Sequence, residues 1–158
     1  MESLNIRRFN DNDAAIVSKI ICRNFLEVNI KDYSKEEMEA LSQIYDTNKV
    51  LEISSYAHMY VACIDNEVVG CGAISSFWGR EEESILLTIF VLPELQGRGI
   101  GKSIIETLES DEYFLRAKRI EIPASITACE FYKKMGYNYK NGLEELDDER
   151  NYRLEKFR

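Results

Sequence analysis

The interval between hydrophobic residues changes several times along this chain. Apolar and polar residues alternate over Leu4-Asn5-Ile6-Arg7-Arg8-Phe9, the period of a strand with one buried face. Beyond the caps offered by Asn10-Asp11-Asn12-Asp13, Ile16, Ile20, Ile21 and Phe25 recur at three to five residues and predict a helix reaching about Ile30. Ser34 and Glu37 form a capping box ahead of Met38, Leu41, Ile44 and Tyr45, a second helix. Residues 46–56 show no clear period and read as a connector. Strand composition returns over Tyr56–Ile64 and Glu67–Phe77, which flank the tight turn Asp65-Asn66 and make a hairpin interrupted by Gly70 and Gly72. Gly79-Arg80-Glu81-Glu82-Glu83 then reads as a polar turn.

The stretch Ile85 to Leu108 organises the second half. An apolar run rich in β-branched residues stops at Pro93, passes Gly97, Gly99 and Gly101, and resumes at helical spacing with Ile100, Ile104, Ile105 and Leu108, to about Ser110. Lys118 to Ile122 is a short strand closed by Pro123. Ser125 caps a further helix whose inward face is Ala128, Phe131, Tyr132 and Met135, ended by Gly136. Strand, helix, strand, helix implies two adjacent parallel strands joined by a right-handed crossover. Tyr137-Asn138-Tyr139 starts another strand, 141–149 is an acidic loop, and Asn151 to Phe157 alternates as a terminal strand. The whole reads as α/β, a mixed sheet with helices on both faces.

Length narrows this to a single domain over 1–158, large enough for a real core. A composition of 45% hydrophobic and 30% charged residues with two prolines is that of a folded protein. No apolar run approaches a membrane span and MESLNIRRFNDND has no apolar signal core, so a cytoplasmic protein with no membrane partner is expected. The formal net charge of −8 argues against nonspecific nucleic-acid binding and suits cationic amines. Cys22, Cys63, Cys71 and Cys129 lack metal-ligand spacing and lie in apolar stretches, so buried free thiols and no metal site are expected.

A glycine-rich turn entering a helix leaves the first N–H groups of that helix unpaired and adds the positive end of its dipole, which makes a socket for phosphate. Arg98 and Lys102 lie within it. Gly101-Lys102-Ser103 ends like a P-loop, but Gln96 stands where its first glycine belongs, and Gly97, Gly99 and Gly101 are spaced G-x-G-x-G instead of G-x-G-x-x-G. A nucleotide hydrolase using Gly101-Lys102-Ser103 is therefore a distant alternative. Gln96-Gly97-Arg98-Gly99-Ile100-Gly101, preceded by Val91-Leu92-Pro93, resembles the Q/R-x-x-G-x-G/A signature of the GNAT superfamily of acyl-CoA-dependent N-acetyltransferases. Ala128-Cys129-Glu130-Phe131-Tyr132-Lys133-Lys134-Met135-Gly136-Tyr137 resembles that family's A-x-x-F-Y-x-x-x-G-[FY] block, in the family's order.

The resemblance implies the GNAT fold, a central, mostly antiparallel sheet with a parallel pair at the cofactor cleft. It implies acetyl-CoA as co-substrate, held by Gln96, Gly97, Arg98, Gly99, Ile100, Gly101, Lys102 and Ser103, with the thioester arm against Phe90, Val91 and Leu92. Ser125 and Ala128 complete the set. Ser125 stands where the family commonly has Asn, and Ala124-Ser125-Ile126-Thr127-Ala128 resembles an A-S-x-T-A form typical of a bacterial subgroup. Tyr132 is the expected proton donor to the departing thiolate, and backbone N–H groups near Phe90 to Leu92 would polarise the carbonyl. For a base, the run Leu86 to Val91 offers no titratable group. Glu83 ranks first, ahead of Glu82, Glu27 and His58, and an amine entering in its neutral form needs none. The implied reaction is direct transfer, in a ternary complex, to a primary amine of a small molecule or peptide. The alternative is a non-catalytic acyl-CoA-binding regulatory module of the same fold. The assembly is expected to be a monomer or a homodimer.

Overall fold

A computed structural model describes residues 3–158; Met1 and Glu2, which belong to the polar N-terminus and to the expected 1–158 domain, lie outside the described residues. Seven strands form one sheet: β1 (Leu4–Arg8), β2 (His58–Ile64), β3 (Glu67–Phe77), β4 (Arg80–Val91), β5 (Arg119–Ser125), β6 (Asn138–Tyr139) and β7 (Asn151–Phe157), in the order β1-β2-β3-β4-β5-β7-β6. Every neighbouring pair is antiparallel except β4 with β5. The mixed sheet and its parallel pair are those expected from the sequence.

Two cores lie on opposite faces of the sheet. One is covered by α1 (Ala14–Glu27), α2 (Lys35–Ile44) and α3 (Thr47–Tyr56), through Val17, Ile21, Phe25, Met38, Val50 and Ile53. The other is covered by α4 (Ile100–Leu108), the short α5 (Glu112–Leu115) and α6 (Cys129–Lys134), through Ile100, Ile104, Leu108, Phe114 and Tyr132. The close seat of α4 explains two strand glycines. A Cβ at Gly72 would stand 2.5 Å from Ile104 Cγ2, and one at Gly70 would stand 3.0 Å from the Phe90 carbonyl oxygen and 3.2 Å from Ile104 Cδ1. Only glycine lets this helix approach the strand so closely.

The parallel pairing of β4 and β5 is short: Glu83, Ser84 and Ile85 face Arg119, Ile120 and Glu121. Beyond Ile85 the two strands no longer pair, leaving a gap bordered by the last residues of β4 and of β5. On its other side β4 carries a bulge. Cys71 faces Phe90 while Ala73 faces Leu87, so one extra residue of β4 is inserted, and Thr88 adopts φ +58°. A β-branched residue in the left-handed region is strained by about 1–3 kcal/mol. The bulge reverses which face successive side chains take. Leu86 joins the core under α4 and Leu87 the core under α1, whereas after Thr88 it is Ile89 and Val91 that join the α4 core and Phe90 the α1 core.

Several boundaries differ from the sequence expectation. The connector 46–56 is helix α3, capped by Asp46, whose side chain accepts from the Lys49 N–H; Val50 and Ile53 alone are fully buried, too few to show a period. Tyr56 therefore ends a helix instead of starting β2. The hairpin turn after β3 is only Trp78-Gly79, at φ +55° and +70°, and Arg80 to Glu83 already belong to β4. Helix α1 stops at Glu27, and a 3₁₀ turn at Asn29–Lys31 follows. Pro123 does not close β5, which runs to Ser125; a nitrogen without a proton loses no bond on the side β4 has left. Ser125 caps a turn, accepting from the Ala128 N–H at 3.1 Å, and α6 begins only at Cys129. Helix α5 was not expected at all. Cys63, Cys71 and Cys129 are buried free thiols as read, whereas Cys22 is half-buried.

Candidate active site

The two motifs meet in space. Helix α4 starts where the glycine turn ends, and α6 lies against that start: a Cβ at Gly101 would stand 3.3 Å from the Phe131 ring. Tyr132, edge-on to Phe131 at 5.2 Å, is buried in the same core as Val91, Ile100 and Ala124, residues of the gap's two walls and of the turn.

The turn has the properties of an anion socket. Gly97 and Gly99 have φ +81° and +84°, and a Cβ at either would touch nothing within 4 Å, so main chain and solvent meet without a side chain between them. Among the described residues, the backbone N–H groups of Gly97, Gly99, Ile100, Gly101 and Lys102 reach no backbone acceptor outside the helix, whereas Ser103 N–H donates to the Gly99 carbonyl at 3.1 Å. Donors that no protein group takes, at the positive end of a nine-residue helix, fit a diphosphate. Coenzyme A carries a diphosphate, and the gap beside it has an unpaired strand edge for the arm.

Register selects the group on that edge. Leu92 N–H donates to the Val69 carbonyl at 2.8 Å, so Leu92 is spent on β3. Alternation then turns the N–H and carbonyl of Val91 away from β3, toward the gap. The Phe90 N–H is also engaged on the β3 side, against the Cys71 sulfur, while the Cys71 thiol donates to the Thr88 carbonyl at 3.3 Å. Cys71 thus plugs the bulge, and burial pushes its thiol up to about 12, which leaves it protonated and inert.

Among the described residues the Tyr132 hydroxyl has no hydrogen-bond partner, yet no side-chain oxygen or nitrogen is both sealed from solvent and unpartnered. The hydroxyl therefore opens onto accessible space. Burial, with a smaller contribution from Cys71, raises its pKa well above the ordinary tyrosine value, so it holds its proton at neutral pH and is a donor, not a base.

Other expected residues lie elsewhere or are otherwise occupied. The Gln96 side chain donates to Asn24 Oδ1 at 2.9 Å and to the Val91 carbonyl at 3.3 Å, so it braces the turn from within. Ser103 lines a shallow groove with Leu4, Ile6, Glu106 and Thr107 on the β1 side of α4. Ser125 Oγ is engaged by the Ala128 N–H. Glu83 is the clearest departure. It sits at the paired end of β4, eight residues and roughly 25 Å from Val91 at the rise of a strand. Arg119 and Arg80 bind its carboxylate at 2.8 and 2.9 Å and hold it below the usual carboxylate range. It belongs to an ion-pair cluster in which Arg119 also meets Glu121 and Glu155, and Lys140 and Arg153 meet Glu121. The structure does not bring Glu83 to the gap.

Of the other proposed bases, Glu82 and His58 lie elsewhere and Glu27 is ion-paired. Glu82 pairs with Lys118 at the same far end. His58 Nδ1 lies 3.0 Å from both oxygens of Asp111, just past the C-terminal end of α4, and its ring stacks on Tyr113 at 3.9 Å. Glu27, on α1, is held by Arg23 at 2.8 Å and kept ionised by it.

Sequence reasoning missed Thr88, Cys71 and Asn24. A threonine within an apolar run carries no sign of positive φ, and a lone cysteine or an asparagine in a helix carries no sign of its long-range partners. Among the described residues no cluster of three or more His, Cys, Asp or Glu could hold a metal ion, and no helix is long and apolar enough to cross a membrane.

Comparison with known proteins gives the same picture. Residues 55–139, more than half of the chain, match the family model described as an acetyltransferase (GNAT) domain. An uncharacterized N-acetyltransferase of Methanocaldococcus jannaschii is 34% identical over 125 residues, covering 75% of this chain and 78% of that protein. Among solved structures, a GCN5-related N-acetyltransferase from Rhodopseudomonas palustris superposes with a TM-score of 0.81 at 24% identity, covering 99% of this chain and 98% of that one. The PaiA N-acetyltransferase of Thermoplasma acidophilum, solved in complex with coenzyme A, gives a TM-score of 0.82 at 18% identity, with 99% of both chains covered. With its glycine turn, parted parallel strands and Phe131-Tyr132 helix in place, the chain belongs to the GNAT family of acetyltransferases.

Proposed function

We propose that residues 1–158 form one N-acetyltransferase domain that moves an acetyl group from acetyl-CoA to a primary amine of a small molecule or peptide, directly, in a ternary complex. It works in the cytoplasm as a monomer or homodimer, without nucleic acid or membrane. The observation that carries this reading is the set of N–H groups of Gly97, Gly99, Ile100, Gly101 and Lys102 that reach no backbone acceptor outside the helix, beside strands β4 and β5 whose pairing ends at Ile85 and Glu121. The coenzyme A bound to the Thermoplasma acidophilum protein of the same fold supports it.

The thioester supplies an activated acyl group; the chain supplies position and protons. The glycine turn and α4 receive the diphosphate. The Val91 N–H, directed into the gap by the bulge and the register, donates to the thioester oxygen as charge develops there. As the amine nitrogen bonds to the acyl carbon and the carbon–sulfur bond breaks, Tyr132, with its proton held by burial, donates to the sulfur and takes back the proton that the nitrogen sheds. Glu83 and Glu82 are ion-paired at the far end of β4 and Glu27 is held by Arg23, so the amine enters as its neutral fraction and we give Glu83 no part in the reaction.

Ion-paired carboxylates in place of a free base are also what the second reading, a module that senses acyl-CoA without transferring it, would have. Thiol release from acetyl-CoA against a panel of primary amines, from polyamines to peptide N-termini, separates the two. The enzyme gives amine-dependent release with at least one acceptor. Coenzyme A binding with only background release across the panel supports the sensor.

A further inference from the structure

Helix α1 reaches the cofactor turn through a buried amide. Asn24, 3% exposed, donates from Nδ2 to the Ile20 carbonyl and to the Val91 carbonyl, both at 2.9 Å, and its Oδ1 accepts from Gln96 Nε2, also at 2.9 Å. Gln96 Nε2 reaches the Val91 carbonyl as well, at 3.3 Å. One residue earlier in α1, Arg23 holds Glu94 at 2.9 Å, within the 3₁₀ turn Pro93–Leu95. Every segment between the end of β4 and the first glycine is thereby fastened to α1.

The chemistry of this clamp is directional. Val91 turns both its N–H and its carbonyl toward the gap. A bare carbonyl there would be a second acceptor facing the oxygen of an acyl arm. Two amide donors occupy it, and the N–H alone is left to the gap. Gln96 is exposed and begins the turn, so without a fixed partner its segment would sample many conformations, and the amides from Gly97 to Lys102 would have to be ordered when the ligand arrives.

We propose that Asn24 is a positioning residue for acyl-CoA, acting through Gln96 and the Val91 carbonyl to hold the glycine turn in its ligand-ready shape. This rests on the reading of the turn as the acyl-CoA site. It assigns a cofactor-side role to α1, a helix whose packed face otherwise belongs to the opposite core.

The test measures coenzyme A affinity by calorimetry, steady-state constants for acetyl-CoA and for an accepted amine, and thermal midpoints, on wild type, Asn24→Leu, Gln96→Ala, the double variant and Gln96→Arg. The expected result is a coenzyme A dissociation constant and an acetyl-CoA KM about tenfold higher in each single variant, with kcat and the amine KM within twofold. The double variant should be no worse than the singles, because both act through one bridge. Gln96→Arg, whose guanidinium can donate to the same two oxygens, restores affinity. Gln96 is exposed, so its variants fold even where Asn24→Leu does not. A lowered thermal midpoint in Asn24→Leu with unchanged coenzyme A affinity in both singles, or additive losses in the double variant, would overturn the proposal. A wild-type chain that binds no coenzyme A overturns the site reading and this proposal with it, whereas wild-type binding with unaffected variants overturns this proposal alone.

Discussion

Gly101→Asp is expected to abolish coenzyme A binding, and Gly99→Asp to do nearly the same. On the proposed reading both place a carboxylate where main-chain donors would receive a diphosphate, so like charge faces the ligand. A loss of at least a hundredfold corresponds to about 2.7 kcal/mol or more, within reach of several charge-assisted hydrogen bonds lost together. The two variants fail for partly different reasons. At Gly99, with φ +84°, any side chain also strains the backbone by about 1–2 kcal/mol, although it meets no neighbour within 4 Å. At Gly101 the backbone is ordinary, but the new side chain enters contact range of Phe131, 3.3 Å from the Cβ position, and disturbs the seat of α6. Gly101→Ala, which brings the contact without the charge, should lose far less affinity than Gly101→Asp. Calorimetric titration checks all three, with thermal midpoints to confirm folding; equal affinity in Gly101→Asp and wild type would contradict the assignment.

Tyr132→Phe is expected to separate binding from turnover. The substitution removes one oxygen from a buried ring and leaves its contact with Phe131 and its place in the core unchanged. Coenzyme A affinity should stay within about twofold. Thiol release should fall roughly a hundredfold, the scale on which a positioned general acid contributes. The raised pKa of the hydroxyl gives the direction of the pH dependence: the proton is present throughout the neutral range, so its contribution persists through moderate alkalinity. Single-turnover thiol release on both proteins reads this directly, and equal rates would remove Tyr132 from the chemistry.

Much of the fold could be read from the sequence because its signals are local. Ile100, Ile104, Ile105 and Leu108 keep helical spacing after a glycine turn, and all four are buried against the sheet as that spacing requires. The pairing of β4 with β5 followed from strand, helix and strand in succession. The losses fall where local pattern and tertiary demand part. Residues 47–56 fold as a helix on the strength of a cap and two core contacts, and Pro123 lies inside a strand because the neighbouring strand has moved away. The site divides in the same way. The glycine turn and Tyr132 are legible because they require particular residue types at fixed spacing. Thr88 is not, since its strain is imposed by the register of β3, nor is Asn24, whose partners Val91 and Gln96 lie 67 and 72 residues away. Glu83 illustrates the opposite error: a carboxylate on the right strand, placed at its wrong end and bound by two arginines.

The central claim is that free main-chain amides at the start of α4 hold the diphosphate of an acyl carrier. Parallel calorimetric titrations of the wild-type chain with coenzyme A and with pantetheine, which has the arm and thiol but no diphosphate, test it without any mutation. The structure predicts that coenzyme A binds at least a hundredfold more tightly. Equal affinity for the two would show that the arm alone is recognised, and would contradict the claim.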